Sequence, residues 1–435
     1  MTESNTKRFL GLNLNENVSK GNVIALLALS FSTIMLATFI PAVQPYLLDE
    51  VLNIPKNDQG AVSGQLLFWG EIVIILTAGF WGALSDKVGR KKVTVVSFIL
   101  IWLSMVIFAF TKDYWVALLG RLIAAAGLSA ASAMIITLMA DYIRDDSRGK
   151  ATGFVGFMNG LGASMAVTVL VKMPQIYEGK GMIATEASLS TYMTMAAIVL
   201  VLVFLLGFTV KSGVIKSHDH EEVTSLSQVV VGMKAAKAPG IALAYAASFV
   251  ARGNLAVVGT FYPLWAAIYG SQVLGMETAD ALAKGGKVVV ISYAASLLFA
   301  PIFGIMTDKM NRVNALSVTL LVGVVGYGCT AFVSDPFSVP MMILLVLIGM
   351  AEVGCIITSG VLIAEQSPKE NRGSVIGVFT LAGAVGILAA SVVGGAVFNV
   401  MNSGPIVFFG FAALVVLIWS RMLVDKIKIP EMTNS

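Results

Sequence analysis

Gly82-Ala83-Leu84-Ser85-Asp86-Lys87-Val88-Gly89-Arg90-Lys91-Lys92 is a short charged stretch between two long apolar runs, and it has a copy. The same Gly, Asp, Lys and Arg recur at the same spacing in Gly304-Ile305-Met306-Thr307-Asp308-Lys309-Met310-Asn311-Arg312, each 222 residues further on. A displacement of 222 also carries Thr38-Phe39-Ile40-Pro41 to Thr260-Phe261-Tyr262-Pro263. A third anchor, Ala140-Asp141 with Arg148-Gly149 and Gly153, returns 224 residues later as Ala364-Glu365 with Arg372-Gly373 and Gly377. Three anchors in one order predict a duplicated bundle whose copies run the same way through a bilayer, with the ligand site between them.

Composition agrees. Hydrophobic residues make up 57% of the 435 and charged residues 12%, against roughly 45–50% and 25% in soluble domains, which makes this a membrane protein. The first twenty residues are polar, with Lys7, Arg8 and Lys20 and no apolar core before a cleavage site, so no signal peptide is expected. Cys329 and Cys355 both fall in apolar runs and read as small hydrophobes rather than a redox pair.

A span needs roughly 20 apolar residues, and twelve runs qualify: 21–47, 59–84, 92–111, 114–140, 149–172, 188–210, 239–266, 286–306, 313–333, 337–363, 373–400 and 405–424. The expected fold class is an all-α membrane protein of two six-helix bundles, 21–210 and 239–424. Around them lie an N-terminal tail 1–20, a linker 211–238 and a C-terminal tail 425–435. An even number of spans puts both termini on one side. Of the 29 basic residues, 21 lie in the termini and even-numbered loops, 6 in the other loops and 2 within helices, so the termini are expected to be cytoplasmic. The linker segment His218-Asp219-His220-Glu221-Glu222 lacks the second cluster that would complete a metal site and reads as solvated chain, so no metal and no cofactor are expected. Glycines Gly153, Gly156, Gly160 and Gly162, answered by Gly377, Gly383 and Gly386, read as faces for close helix packing, as does the stripe Gly64, Glu71, Ala78 and Gly82.

Four ionisable residues lie well inside spans: Glu71, Arg121, Arg252 and Glu352. A charge near the bilayer centre costs about 2.5–3.5 kcal/mol even on the lenient insertion scale, so each needs a partner or a wet cavity. Two acids and two bases suit mutual compensation. They also suit a proton relay, because an apolar setting penalises a carboxylate and a nearby guanidinium favours it. Arg252 can also fork onto an anionic substrate.

The hinge resembles the signature that members of the major facilitator superfamily carry between helices two and three, and the resemblance extends over about residues 20–424. In the second copy Asn311 stands where glycine would. Arg121 with Gly127 is similar to the family's fourth-helix motif, with Ala124 and Ala125 replacing the common Gln and Gly. The fifth helix matches the antiporter motif at Gly156, Gly160 and Gly162, but carries Leu161 in place of its proline. The resemblance implies the family's twelve-helix fold and a cytoplasmic gate of Gly82, Asp86, Gly89, Arg90, Lys91, Asp141, Arg148, Gly304, Asp308, Arg312, Glu365 and Arg372. Arg121, Arg252 and Glu352 would then line the substrate path, with Glu71 at the seam between halves. Asn254, Tyr262, Trp265 and Tyr293 are further path candidates, beside Phe39, Gln44, Trp69, Asn159 and Tyr245. The expected function is secondary transport of a small organic solute by alternating access, with the proton as coupling ion. A substrate-only facilitator and a transporter-fold sensor or scaffold are the rivals. Without a nucleotide-binding loop or a catalytic Ser/His/Asp set, ATP drive and an enzyme are not expected. Two buried arginines favour an anionic or zwitterionic solute, whereas 21 Met and 23 Phe suit an amphipathic one. The expected partners are the lipid bilayer and that solute, not nucleic acid, for a monomer in a bacterial inner membrane.

Overall fold

The computed structural model describes residues 8–211 and 225–427. Twelve helices are long and apolar enough to cross a membrane. In chain order the helices are α1 Lys20–Tyr46, α2 Lys56–Val88, α3 Arg90–Ala109, α4 Tyr114–Tyr142, α5 Arg148–Thr168, the short α6 Met173–Glu178, α7 Ala184–Thr209, the linker helix α8 Ser225–Ala235, α9 Pro239–Gln272, α10 Thr278–Lys309, α11 Arg312–Gly328, α12 Val339–Gln366, α13 Arg372–Phe398 and α14 Gly404–Leu423. Polar side chains start several of them. Ser19 and Asn22 cap α1 reciprocally, Asp113 accepts from Trp115 N and Val116 N, and Ser338 accepts from Met341 N.

The chain divides into two compact units, residues 1–54 with 69–219 and residues 55–68 with 220–435. This departs from the bundles 21–210 and 239–424 at residues 55–68, the first third of α2. There the Gly64 backbone is so close to the Ser391 carbonyl of α13 that a methyl group would collide with it.

The duplication is visible in the packing of each unit. In the first, α1 packs on α5; in the second, α9 packs on α13. At Gly162 a side chain would run into the Phe31 carbonyl of α1, and 224 residues later at Gly386 it would run into the Phe249 carbonyl of α9. Only glycine permits that approach of two backbones. Pro41 and Pro263 lie inside α1 and α9, each removing one helical donor at the same place in its repeat. Close packing does not extend to every glycine expected to serve it. Gly153, Gly156 and Gly377 have open space where a side chain would go.

The N-terminal segment is not a plain tail. Arg8–Phe9 (β1) and Leu12–Asn13 (β2) pair antiparallel across Leu10 and Gly11, both at positive φ. Leu12, Leu14 and Val18 are buried.

Candidate functional site

The first hinge is built on Gly89, whose φ of 98° ends α2 and starts α3 with no residue between them but itself. Any side chain would be strained there. The turn aims Arg90 back at α2 and across to α4. Its guanidinium donates to Asp86, to Ser85 Oγ at 2.6 Å and, through Nε, to Asp141 Oδ2 at 3.0 Å. Arg90 is largely buried and Asp86 half-exposed, so the guanidinium is satisfied from two helices and ties their ends together. Lys91 is half-buried beside it.

The N-terminal hairpin grips the same corner. Asn15 Nδ2 donates to the Asp141 carbonyl at 3.0 Å, and Asn15 N to the Tyr142 carbonyl at 3.0 Å. Arg144 N donates to the Asn13 carbonyl at 3.0 Å and Leu14 bridges Ile143. Asn13 N donates to Ser147 Oγ at 3.1 Å. Hydrogen bonds from the Ser147 hydroxyl and then from the Asn13 amide hold the Asp146 carboxyl below its ordinary range.

The second hinge is wired differently. Asn311 has an ordinary φ of −55° and caps α11, accepting from Val313 N at 2.9 Å. Arg312 Nε donates to Glu365 Oε1 at 2.8 Å, and its Nη1 donates to the Thr307 carbonyl. Asp308 is exposed and, among the described residues, joins no ion pair. Gly82 and Gly304 both have open space beside them, and Arg148 and Arg372 open α5 and α13.

In the first unit the two mid-span charges meet. Glu71 is buried and acts electrostatically on Arg121, whose Nε lies where a side chain at Gly70 would approach within 3.1 Å. Arg121 Nε itself has no hydrogen-bond acceptor. Sequence reading set Glu71 apart from Arg121, at a seam; the structure makes them neighbours on α2 and α4. Asn159 accepts from Ser30 Oγ at 2.6 Å, Phe39 is buried, and Trp69 is exposed.

The second unit keeps its charges apart. Glu352 on α12 is buried, its Oε2 has no hydrogen-bond partner, and among the described residues it forms no ion pair. Its electrostatic neighbours are Tyr293 of α10 and Tyr327 of α11, and the Tyr327 hydroxyl is also unpartnered. Arg252 on α9 is exposed and likewise without an ion pair among the described residues. Asn254 is buried with Oδ1 unsatisfied. Tyr262 donates to the Pro336 carbonyl at 2.8 Å and Trp265 packs edge-on against it, so these two path candidates are spent on the core. Tyr245 donates to the Gly232 and Val375 carbonyls, joining α8 to α13.

Sequence reading missed three features. The pattern Leu12-Asn13-Leu14-Asn15 after Gly11 is a strand-like alternation that signals the hairpin. Lys284 and Lys287 lie inside α10, which starts eight residues before the apolar run, and Lys284 sits over the Phe337 ring at 4.4 Å. The Glu71–Arg121 pairing had no sequence signal beyond opposite charge. Among the described residues no group of three His, Cys, Asp or Glu is placed to hold a metal; the linker histidines fall outside them. Cys355 is buried and Cys329 half-buried.

Twelve spanning helices with repeated backbone contacts define a duplicated, all-α, multi-pass membrane protein. The family model of the Major Facilitator Superfamily matches residues 25–286 and again 244–431. The chain belongs to that superfamily of membrane transporters. Magnetosome protein MamH of Paramagnetospirillum magneticum is 26% identical, over 92% of each chain. Magnetosome protein MamZ of the same organism is 24% identical over 92% of this chain, which spans 62% of MamZ. The crystal structure of nucleoside transporter NupG shares the fold, with a TM-score of 0.68 at 16% identity over 93% of this chain and 99% of that one.

Proposed function

We propose that the protein is a secondary active transporter that moves a small organic solute by alternating access and couples it to protons, with Glu352 as the proton carrier. The observation that carries this reading is the solitary state of Glu352, a buried carboxyl in mid-span with no cation beside it. Such a group stays in an apolar setting at least cost when it holds a proton and gives it up when water reaches it. Glu71, next to Arg121, has a counter-charge that favours the ionised form throughout, which suits a structural role. The names MamH and MamZ give a place rather than a solute, so the solute must be found by experiment. The distribution of basic residues supports an inner membrane protein with both termini in the cytoplasm, where the Asp86–Arg90–Asp141 cluster and the hairpin would brace the inner end of the first unit as the gate closes.

The test has two stages. A thermal-melting screen of purified protein finds solutes that bind, since a ligand of the folded state raises the melting temperature by mass action. Vesicles with an imposed pH gradient then measure accumulation of the best binder. Glu352→Gln is expected to keep exchange of solute across the membrane and to lose gradient-driven accumulation. Accumulation equal to wild type would remove Glu352 from the role, and a wild type that equilibrates solute without responding to the gradient would identify a facilitator.

A further inference from the structure

Arg252 stands about 20 Å along α9 from Pro239, counting ~1.5 Å per residue, in a helix of 34 residues. That depth is too great for its side chain to reach water at either end of the span. Its side chain is nonetheless exposed, and among the described residues no acid pairs with it. Glu352, the acid that could have neutralised it inside the same unit, is buried among tyrosines instead. A guanidinium is always charged and offers five donors, so at mid-span it requires an aqueous opening and an anion to fill its fork.

The neighbouring helix is cut back to hold it. A side chain at Gly383 of α13 would come within 2.6 Å of Arg252 Cγ and 3.0 Å of Ser248 Oγ. Ser248, one turn before Arg252 on α9, donates to the Phe379 carbonyl of α13 at 2.9 Å and so is not an acceptor aimed at the guanidinium. The aliphatic stem of Arg252 therefore lies in a notch made by a missing side chain, which fixes its direction and leaves its polar end free. We propose that Arg252, seated on Gly383, binds the carboxylate or phosphate group of an anionic organic solute. This rests on the transporter reading and names the class of solute it moves. Arg252 touches the solute; Gly383 is a positioning residue.

Reconstituted protein is melted with citrate, succinate, inorganic phosphate or glycerol 3-phosphate, each against sodium chloride at matched ionic strength. At least one anion is expected to stabilise the wild type beyond the chloride control. Arg252→Gln should weaken that binding at least tenfold, and Arg252→Lys should recover part of it, because an ammonium keeps the charge and loses the fork. Gly383→Ala should weaken it several-fold, with greater loss for the anion that uses both prongs, a selectivity that a general packing defect would not produce. Glu352→Gln should bind the anion as wild type does. The proposal is overturned if no anion stabilises the wild type beyond chloride, or if Arg252→Gln binds as tightly as wild type. Vesicle exchange separates this from the transporter reading. If a neutral or cationic solute is accumulated and Arg252→Gln leaves that intact, the anion seat falls and transport stands. If anions need Arg252 to bind but are never exchanged across the membrane, the seat stands and transport falls.

Discussion

The two units each bury one carboxyl in mid-span, and they treat it in opposite ways. Glu71 has the Arg121 guanidinium for company, whereas Glu352 has two tyrosine rings and an oxygen with no donor. A paired acid is held by Coulomb attraction against its desolvation cost and gains nothing by taking up a proton. A solitary one has no such restraint. The duplication has thus produced a fixed charge in one copy and an exchangeable one in the other, and the free guanidinium of the second copy, Arg252, is left for something that is not protein.

The hinges repeat the lesson at the membrane edge. Asp86, Ser85 and Asp141 converge on Arg90, while Arg312 binds Glu365 and a main-chain carbonyl and leaves Asp308 in solvent. The cause is local. Gly89 turns the chain through positive φ, and Asn311 cannot do so cheaply and caps its helix instead.

Breaking the first comparison should produce the largest stability effect. Arg121→Leu removes one partner of a buried pair and is expected to cost about 3–5 kcal/mol, seen as a lower melting temperature in detergent. Arg121→Leu with Glu71→Gln should restore much of that loss. Glu352→Gln alone should melt at or above the wild-type temperature, because it removes an uncompensated acid. A large loss in Glu352→Gln would mean that its carboxylate has a partner in the working protein.

The hinges sharpen the second comparison. Asp86→Asn should cut solute exchange several-fold in a folded protein, and Asp308→Asn should leave it nearly unchanged, since only Asp86 holds an arginine. Equal losses in the two variants would contradict the asymmetry.

The smallest effect belongs to the hairpin. Asn13→Ala removes hydrogen bonds worth about 0.5–1.5 kcal/mol each, and trypsin should then cut at Arg8 faster. The Asp146 carboxyl is held low in the folded protein by Ser147 and Asn13, so its contribution is complete above its unfolded value and is lost as pH falls through the lowered one. Acidification over that range should speed cleavage in wild type and change it less in Asp146→Asn.

How much of this was legible in the residues follows from the range of the interactions. Twelve spans, the duplicated order and the Pro41 and Pro263 positions are local signals, written in composition and spacing. Arg121 meeting Glu71 is a contact between α2 and α4 that no spacing encodes, so opposite charge suggested compensation without naming the pair. Helix α10 outruns its apolar stretch because backbone hydrogen bonding continues past the edge of hydrophobicity, which is how Lys284 and Lys287 came to look like loop residues. The hairpin was lost for the opposite reason, since four alternating residues vanish in a twenty-residue window. Tyr262 and Trp265 carried the right chemistry for a binding surface, but only their burial reveals that they hold α9 to the loop before α12.

The central claim is that Glu352, and not Glu71, exchanges the proton. A pH-sensitive dye in a weakly buffered solution of purified protein reads it directly when a solute identified by melting is added at saturation. The wild type and Glu71→Gln are expected to take up or release about one proton per molecule on solute binding, by linkage between the two sites, and Glu352→Gln none. A proton signal that survives in Glu352→Gln, or disappears in Glu71→Gln, would contradict the account.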